Sequence, residues 1–214
     1  MANRRRSATE IRHAIASAAV RVVGRCGVDG LTHRAVAEEA AVSLSSTTYH
    51  FASREDIIGA ALQWVAAQET TKAHATVDAL STSDGMPQRQ QDLLEAISEE
   101  LVPKDRTALR AQYELQLYAA DHPRLQAVVR TWVDAIEEMF TEILYRLGAK
   151  EPAQSARLLV AIIDGLRLTA LTTAPSDKSA ARDRTAITWF FDNLLPAPKP
   201  HRSPAPAQAG NVTW

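Results

Sequence analysis

Between Thr32 and Arg54 the chain gathers hydroxyls, two histidines, a tyrosine and two arginines at spacings that suit a polyanion. Thr32 and Ser43 each stand at the start of a short helical segment. There a hydroxyl caps the free amides, and the positive helix end faces phosphate oxygens. Phosphate contacts are expected from Thr32, Arg34, Ser43, His50 and Arg54. Thr47 and Phe51 lie four apart and should turn inward with Val42, which leaves Leu44, Ser45, Thr48 and Tyr49 facing outward. Such a helix suits a major groove, where hydroxyls read base edges permissively and Leu44 meets a thymine methyl. Taken singly, Thr32 and Ser43 suit plain structural caps and His50 a packed histidine. As a set they suit one face offered to a polyanion.

The elements that must hold these residues are helices. Ser7-Ala8-Thr9-Glu10 has capping-box spacing, and Ile11, Ile15, Ala18, Ala19, Val22 and Val23 then repeat on one face. Gly27 and Gly30 punctuate the end of this first helix. Thr32 caps a second helix, 33–40, with Val36 and Ala40 turned inward. Ala41-Val42-Ser43 makes a tight turn into a third helix, 44–50, closed by Phe51. Ser53 caps a long fourth helix with Glu55 and Asp56 in its first turn, where the helix dipole favours acids. Three helices with a three-residue turn between the last two make a helix-turn-helix.

Charge follows the same division. Residues 1–54 carry eight arginines against four acids, a surplus of four positive charges, within a chain whose net charge is -1. A basic end on an acidic body suits a protein that offers one end to a polyanion, although chance clustering on a solvated face reads the same way. Arg4-Arg5-Arg6 is either an arm on neighbouring phosphates or a solubilising end.

Beyond residue 75 further helices alternate with breakers. Ser81 to Gly85 reads as a loop, Leu93 to Leu101 as a helix and Pro103 as a break. Leu109, Tyr113, Leu117 and Tyr118 mark the next helix. Pro123 opens a long helix ending at Gly148, and Pro152 opens another over 152–173 that is apolar nearly all round. Pro175 to Lys178 reads as a turn before a last helix, 180–195. Two consecutive helices apolar on every side need more interior than a monomer of 214 residues offers. They are expected to pair with their copies in a homodimer as a four-helix bundle. Gly165 either permits close helix approach there or is a plain packing glycine. Residues 196–214 hold five of the ten prolines and read as a disordered, Pro-rich tail.

With these residues in hand the sequence resembles the TetR family of bacterial transcriptional regulators. The resemblance rests on Gly27-Val28-Asp29-Gly30-Leu31-Thr32, Ala35-Val36-Ala37, and Ala41-Val42-Ser43 through His50-Phe51 to Ser53-Arg54-Glu55-Asp56-Ile57. Ala41 stands where a turn glycine is usual in that family, and Arg54 where lysine is usual. The family's common phosphate-contacting tyrosine would fall at Thr48, with Tyr49 one place later. The resemblance implies an all-α fold of about nine helices. Its parts are a helix-turn-helix domain over 1–53 and an effector-binding and dimerisation domain over 54–195. It further implies a repressor released from an inverted-repeat operator by a small molecule held among the middle helices.

Aromatic and polar residues of those helices supply the candidate pocket: Trp64, Gln68, Tyr113, Glu114 and Leu117, then Tyr118, Trp132, Ile136, Phe140, Asp164 and Arg167. Any one of these aromatics also reads as ordinary core. Glu114 and Asp164 sit inside apolar helical segments, where a lone carboxylate needs a partner. Arg167 is the expected partner of Asp164, while Glu114 is open to a cationic ligand or an internal one.

No catalytic constellation, phosphate loop, dinucleotide fingerprint or metal-ligand cluster is legible, so no enzyme activity, cofactor or metal is expected. Cys26 is the single cysteine, which excludes an intramolecular disulfide and fits a reducing cytoplasm. No apolar run reaches membrane-spanning length. Two other readings stand beside the regulator. One is a helical small-molecule enzyme with a basic appendage, and the other is an architectural DNA binder without effector control. The sign of regulation, repressor or activator, depends on operator placement.

Overall fold

The computed structural model describes residues 7–81, 85–101, 105–174 and 176–195. The Arg4-Arg5-Arg6 arm, residues 82–84, Pro103, Pro175 and the tail 196–214 lie outside the described residues. Nine α-helices and one short 3-10 turn, with no strand, make up the described chain. They are α1 Ala8–Cys26, the 3-10 turn Val28–Gly30, α2 His33–Ala40, α3 Leu44–His50 and α4 Arg54–Ser81. Then come α5 Gly85–Glu100, α6 Arg106–Ala119, α7 Pro123–Arg146, α8 Pro152–Thr172 and α9 Asp177–Leu194.

Local chemistry starts these helices where the residue types require. The Ser7 hydroxyl accepts from the Glu10 amide while the Glu10 carboxylate accepts from the Ser7 amide, a complete capping box. Thr32 caps α2 through the Ala35 amide at 3.1 Å, and Ser43 caps α3 through the Ser46 amide at 3.1 Å. Ser53 and Asp56 form the same reciprocal pair at the start of α4. Boundaries differ from expectation at two places: Ser81 and Gly85, expected in a loop, end α4 and begin α5, and α9 starts early. Helix α9 begins at Asp177, because the Ser176 hydroxyl caps the Ser179 amide, so Asp177 and Lys178 are helical rather than turn. Arg106 at the start of α6 donates to the carbonyls of Ala170 and Leu171, satisfying the last turn of α8.

Two apolar cores organise the chain. The first joins α1, α2 and the first half of α4 to α6 and the start of α7, through Ile15, Val23, Leu31, Val36, Ile57, Leu62 and Leu115. It therefore runs across the expected boundary at residue 53. The second joins α5, the end of α7, α8 and α9 through Leu93, Ile143, Leu144, Leu159, Ile187 and Phe191. Burial of each such side chain contributes roughly 1.5–3 kcal/mol. Helices α4 and α7 span both cores.

Gly24 is what lets α1 lie on α6: a Cβ there would come within 2.3 Å of the Thr107 carbonyl oxygen. Of the two glycines read as punctuation, only Gly27 has positive φ, at 74°. Ala41, the C-cap of α2, takes the left-handed conformation at φ 53° despite its Cβ.

Candidate functional site

The turn Ala41-Val42-Ser43 sets α3 across α2. Thr47 and Phe51 are buried beneath α3, as their spacing predicts. On the opposite side Tyr49 is 84% exposed, and Leu44, Ser45 and Thr48 are exposed with it. The hydroxyls are held in place: Ser45 Oγ lies 2.9 Å from Ser43 Oγ, and Thr48 donates to the Leu44 and Ser45 carbonyls. Tyr49 meets the half-buried ring of His50 edge-on at 5.1 Å. Arg12 of α1 donates to the His50 carbonyl at 2.6 Å and lies over the Phe51 ring, so α1 braces the end of α3. Arg34 is exposed beside Thr32 and pairs with Glu38 at 3.2 Å. Arg21 and Arg25 of α1 share Glu39 of α2, whose carboxyl their hydrogen bonds, that of Arg25 foremost, hold below its ordinary pKa.

Arg54, expected to contact phosphate, is engaged within the chain. Its guanidinium donates to the carbonyls of Leu31 and Val28 at 2.9 and 2.5 Å and lies 5.9 Å over the Tyr118 ring. It clamps the 3-10 turn to the body: the Val28 carbonyl accepts from Arg54 as well as from the Leu31 amide, and the Leu31 carbonyl, outside any helix, accepts from Arg54.

The cavity lies at the seam between the two cores. It is about 130 Å³ and is walled by α4 (Glu69, Lys72, Ala73, Thr76), α5 (Ala96, Ile97) and α6 (Gln112, Gln116). Helices α7 (Trp132, Val133, Ile136, Met139, Phe140) and α8 (Val160, Ile163, Asp164, Arg167) complete it. Of the expected pocket residues, Trp132, Ile136 and Phe140 line it, and so do Asp164 and Arg167.

The other expected pocket residues, Tyr113 excepted, lie elsewhere. Glu114 turns away on the far face of α6, where it accepts from the Val28 amide at 2.9 Å and pairs with Arg110. Tyr118 stacks on His122 at 4.0 Å, and Leu117 is 72% exposed. Trp64 packs against the first core, and Gln68 is exposed. Tyr113 is adjacent to the cavity, its hydroxyl 3.2 Å from the Asp164 carbonyl oxygen and 3.5 Å from its carboxylate. Burial, then the nearby Asp164 charge, pushes the Tyr113 phenol up to about 12, so it stays a donor.

The polar wall is paired differently from expectation as well. Arg167 donates to Glu69 at 3.3 Å through two nitrogens and to Gln112 at 3.2 Å, not to Asp164. Lys72 holds the other Glu69 oxygen at 2.8 Å. Desolvation raises the Asp164 pKa above the usual carboxylate range, against the pull of Arg167. Glu69, Lys72, Gln112 and Gln116 escaped the sequence reading, yet a signal exists. Glu69, Ala73 and Thr76 share one α4 face, and Gln112 and Gln116 stand four apart on α6 among apolar neighbours.

This architecture has solved counterparts. Residues 15–61 match the family described as bacterial regulatory proteins, tetR family, and residues 87–197 match the tetracyclin repressor-like C-terminal domain. The chain is similar to the nicotine-responsive transcriptional repressor HdnoR of Paenarthrobacter nicotinovorans. The two are 28% identical over 170 residues, covering 76% of this chain and 84% of that protein. The multidrug binding protein EbrR, solved with ethidium, is 35% identical with a TM-score of 0.64, over 87% of this chain and 99% of that one. A TetR-family protein of Streptomyces coelicolor A3, SCO1917, is 36% identical with a TM-score of 0.65, over 87% and 99%. The chain belongs to the TetR family, as a transcriptional repressor with an N-terminal DNA-binding helix-turn-helix and a C-terminal ligand-binding domain.

Proposed function

We propose that this repressor works as a homodimer on an inverted-repeat operator and releases it when an aromatic cation enters the seam cavity. The observation that carries the reading is the continuity of α4. Its first turn follows directly on the α3 unit at Arg54, and its later turns form the cavity wall at Glu69 and Thr76. At 1.5 Å per residue this one rigid element is about 40 Å long. The cavity, at about 130 Å³, is well below the roughly 300–1,000 Å³ of ligand pockets, so a drug-sized molecule must push a wall aside. Moving the α4 wall tilts the unit that bears Leu44, Ser45, Thr48 and Tyr49. The aromatic and acidic lining of Trp132, Phe140, Glu69 and Asp164 suits an aromatic cation. The nicotine-responsive relative and the ethidium complex of EbrR are named for molecules of that kind.

In this reading residues 1–53 read DNA, with Tyr49 and Leu44 toward bases and Thr32, Arg34, Ser43 and His50 toward phosphates. Residues 54–195 bind effector and dimerise. The dimer forms through the outer sides of α8 and α9, where Leu158, Leu168 and Trp189 stand exposed on the single chain. The role is regulatory rather than catalytic, exercised on DNA in the cytoplasm.

The test uses duplexes selected from random DNA by the full chain. Tetraphenylphosphonium, an aromatic cation that does not intercalate, is then titrated into the complex. Operator binding should show two-fold symmetric footprints and fall at least tenfold with the cation. Unchanged occupancy at saturating cation, or footprints without symmetry, would overturn the reading.

A further inference from the structure

The cavity wall holds more negative charge than its interior pairs satisfy. Glu69 and Asp164 both line it, and the cation buried with them is Arg167, whose side chain is 13% exposed beside a Glu69 that is 16% exposed. Lys72 also touches Glu69 but keeps 59% of its side chain in solvent, so it belongs to the rim. The Arg167 guanidinium is spread thinly. Its bonds to Glu69 and Gln112 are 3.3 and 3.2 Å long, and its Nε is buried with no hydrogen-bond partner among the described residues. Asp164, three residues back on α8, shares its helix face and pairs with no cation among the described residues. Arg167 therefore has a second carboxylate within reach of a rotamer change.

We propose that Arg167 is the resident cation of the cavity, and that an aromatic cation binds by taking Glu69 from it while Asp164 receives the freed guanidinium. The inference rests on the reading of the cavity as a cation site and adds how that site selects and responds. An incoming positive charge replaces one already compensated, so Glu69 is never left buried and unpaired, which would be costly. Departure of the guanidinium also enlarges a cavity that is too small for a tricyclic ring as it stands. A neutral ring of the same shape cannot make the exchange, because it leaves Glu69 with nothing to replace Arg167. The exchange breaks the bridge from α8 to α4 and the adjoining bond to Gln112 on α6. Charge recognition thus opens the contact that restrains the far half of α4. The raised pKa of Asp164 agrees with a carboxylate awaiting a cation.

The experiment measures binding of ethidium, and of its neutral parent ring phenanthridine, to the full DNA-free chain by calorimetry. The proteins are wild type, Arg167→Met, Asp164→Asn and the double variant. Removing the competitor should tighten ethidium binding about tenfold and change phenanthridine binding less than twofold. Asp164→Asn should weaken ethidium about tenfold in the wild-type background and less than twofold beside Arg167→Met, since Asp164 acts through Arg167. An equal loss in both backgrounds, or weaker ethidium binding by Arg167→Met, would overturn the exchange. The wild-type complex gives an independent answer should a variant misfold. In its crystal structure Arg167 should sit on Asp164, and an intact Glu69–Arg167 bridge beside bound ethidium sinks the exchange alone. Failure of ethidium to bind wild type and Arg167→Met alike sinks the cation site and the exchange together.

Discussion

The Oε2 atom of Glu114 accepts a 2.9 Å hydrogen bond from the backbone amide of Val28, which lies 86 residues earlier in the chain. The bond fastens the turn that leads into the helix-turn-helix to the outer face of α6. Arg54 holds the same turn from the other side through the Val28 and Leu31 carbonyls. Gly27, next to this turn, has positive φ, and a Cβ on it would lie 3.1 Å from the Glu114 carboxylate. The inner face of α6, with Gln112 and Gln116, lines the cavity. One helix therefore touches both ends of the switch.

Glu114→Ala should lower stability by about 1–3 kcal/mol, the range for removing a partly buried, charge-assisted acceptor from a backbone donor. Urea unfolding measures the loss. Operator affinity should fall as well, because the orientation of the 3-10 turn is no longer set. An unchanged unfolding midpoint would show that the bond contributes nothing.

Tyr49→Ala and Arg54→Ala should separate binding from stability. Tyr49 is 84% exposed and meets the His50 ring edge-on, so its loss should weaken operator binding by roughly 1–3 kcal/mol with an unchanged Tm. Arg54→Ala should lower the Tm by several degrees, since the Leu31 carbonyl loses its side-chain donor and the Val28 carbonyl keeps only the Leu31 amide. Thermal melts with and without operator distinguish the two outcomes.

Ala41→Gly should stabilise the chain. A left-handed conformation costs a residue with a Cβ roughly 1–2 kcal/mol, and glycine returns about 0.5–1 kcal/mol of that through its freer unfolded state. The expected net gain is about 0.5–1 kcal/mol by urea unfolding. A loss would mean that the Ala41 methyl makes a contact worth more than the strain.

Charged substitutions on α8 and α9 should divide by the face they fall on. Trp189 on α9 is 67% exposed on the single chain, and Leu158 and Leu168 are exposed on α8. Trp189→Glu or Leu158→Glu should give folded monomers by light scattering. Phe190 is instead part of the second core, so Phe190→Glu should unfold the chain rather than dissociate it. Folded dimers from both Trp189→Glu and Leu158→Glu would move the interface elsewhere.

Asp164→Asn should raise the Tm increasingly with pH. Desolvation raises the folded-state pKa of Asp164 above its unfolded value, so its contribution is intact in acid and lost as pH rises through the raised pKa. Asparagine removes the ionising group. The Tm difference between variant and wild type should be smallest near pH 4 and grow toward pH 8. A constant difference would assign the change to packing alone.

Sequence and tertiary structure divided this protein between them along a physical line. Capping hydroxyls at Ser7, Thr32, Ser43 and Ser53, and the inward spacing of Thr47 and Phe51, act within one or two helical turns. They were therefore legible from local pattern, and with them came the helix-turn-helix and the exposure of Leu44, Ser45, Thr48 and Tyr49. The triad Trp132, Ile136 and Phe140 was legible for the same reason, since residues four apart share a face. Partner choice was not. Asp164 and Arg167 are three apart on one helix and invited a local pair, yet Arg167 reaches 98 residues back to Glu69. The pattern left Glu114 open to a ligand or an internal partner, and the rotation of α6 turns it onto the Val28 amide and presents Gln112 and Gln116 to the cavity. A helical pattern states which residues share a face. Only the packing of α4, α6 and α8 around one another decides what each face meets, because a buried charge goes to whichever partner the assembled fold brings within reach.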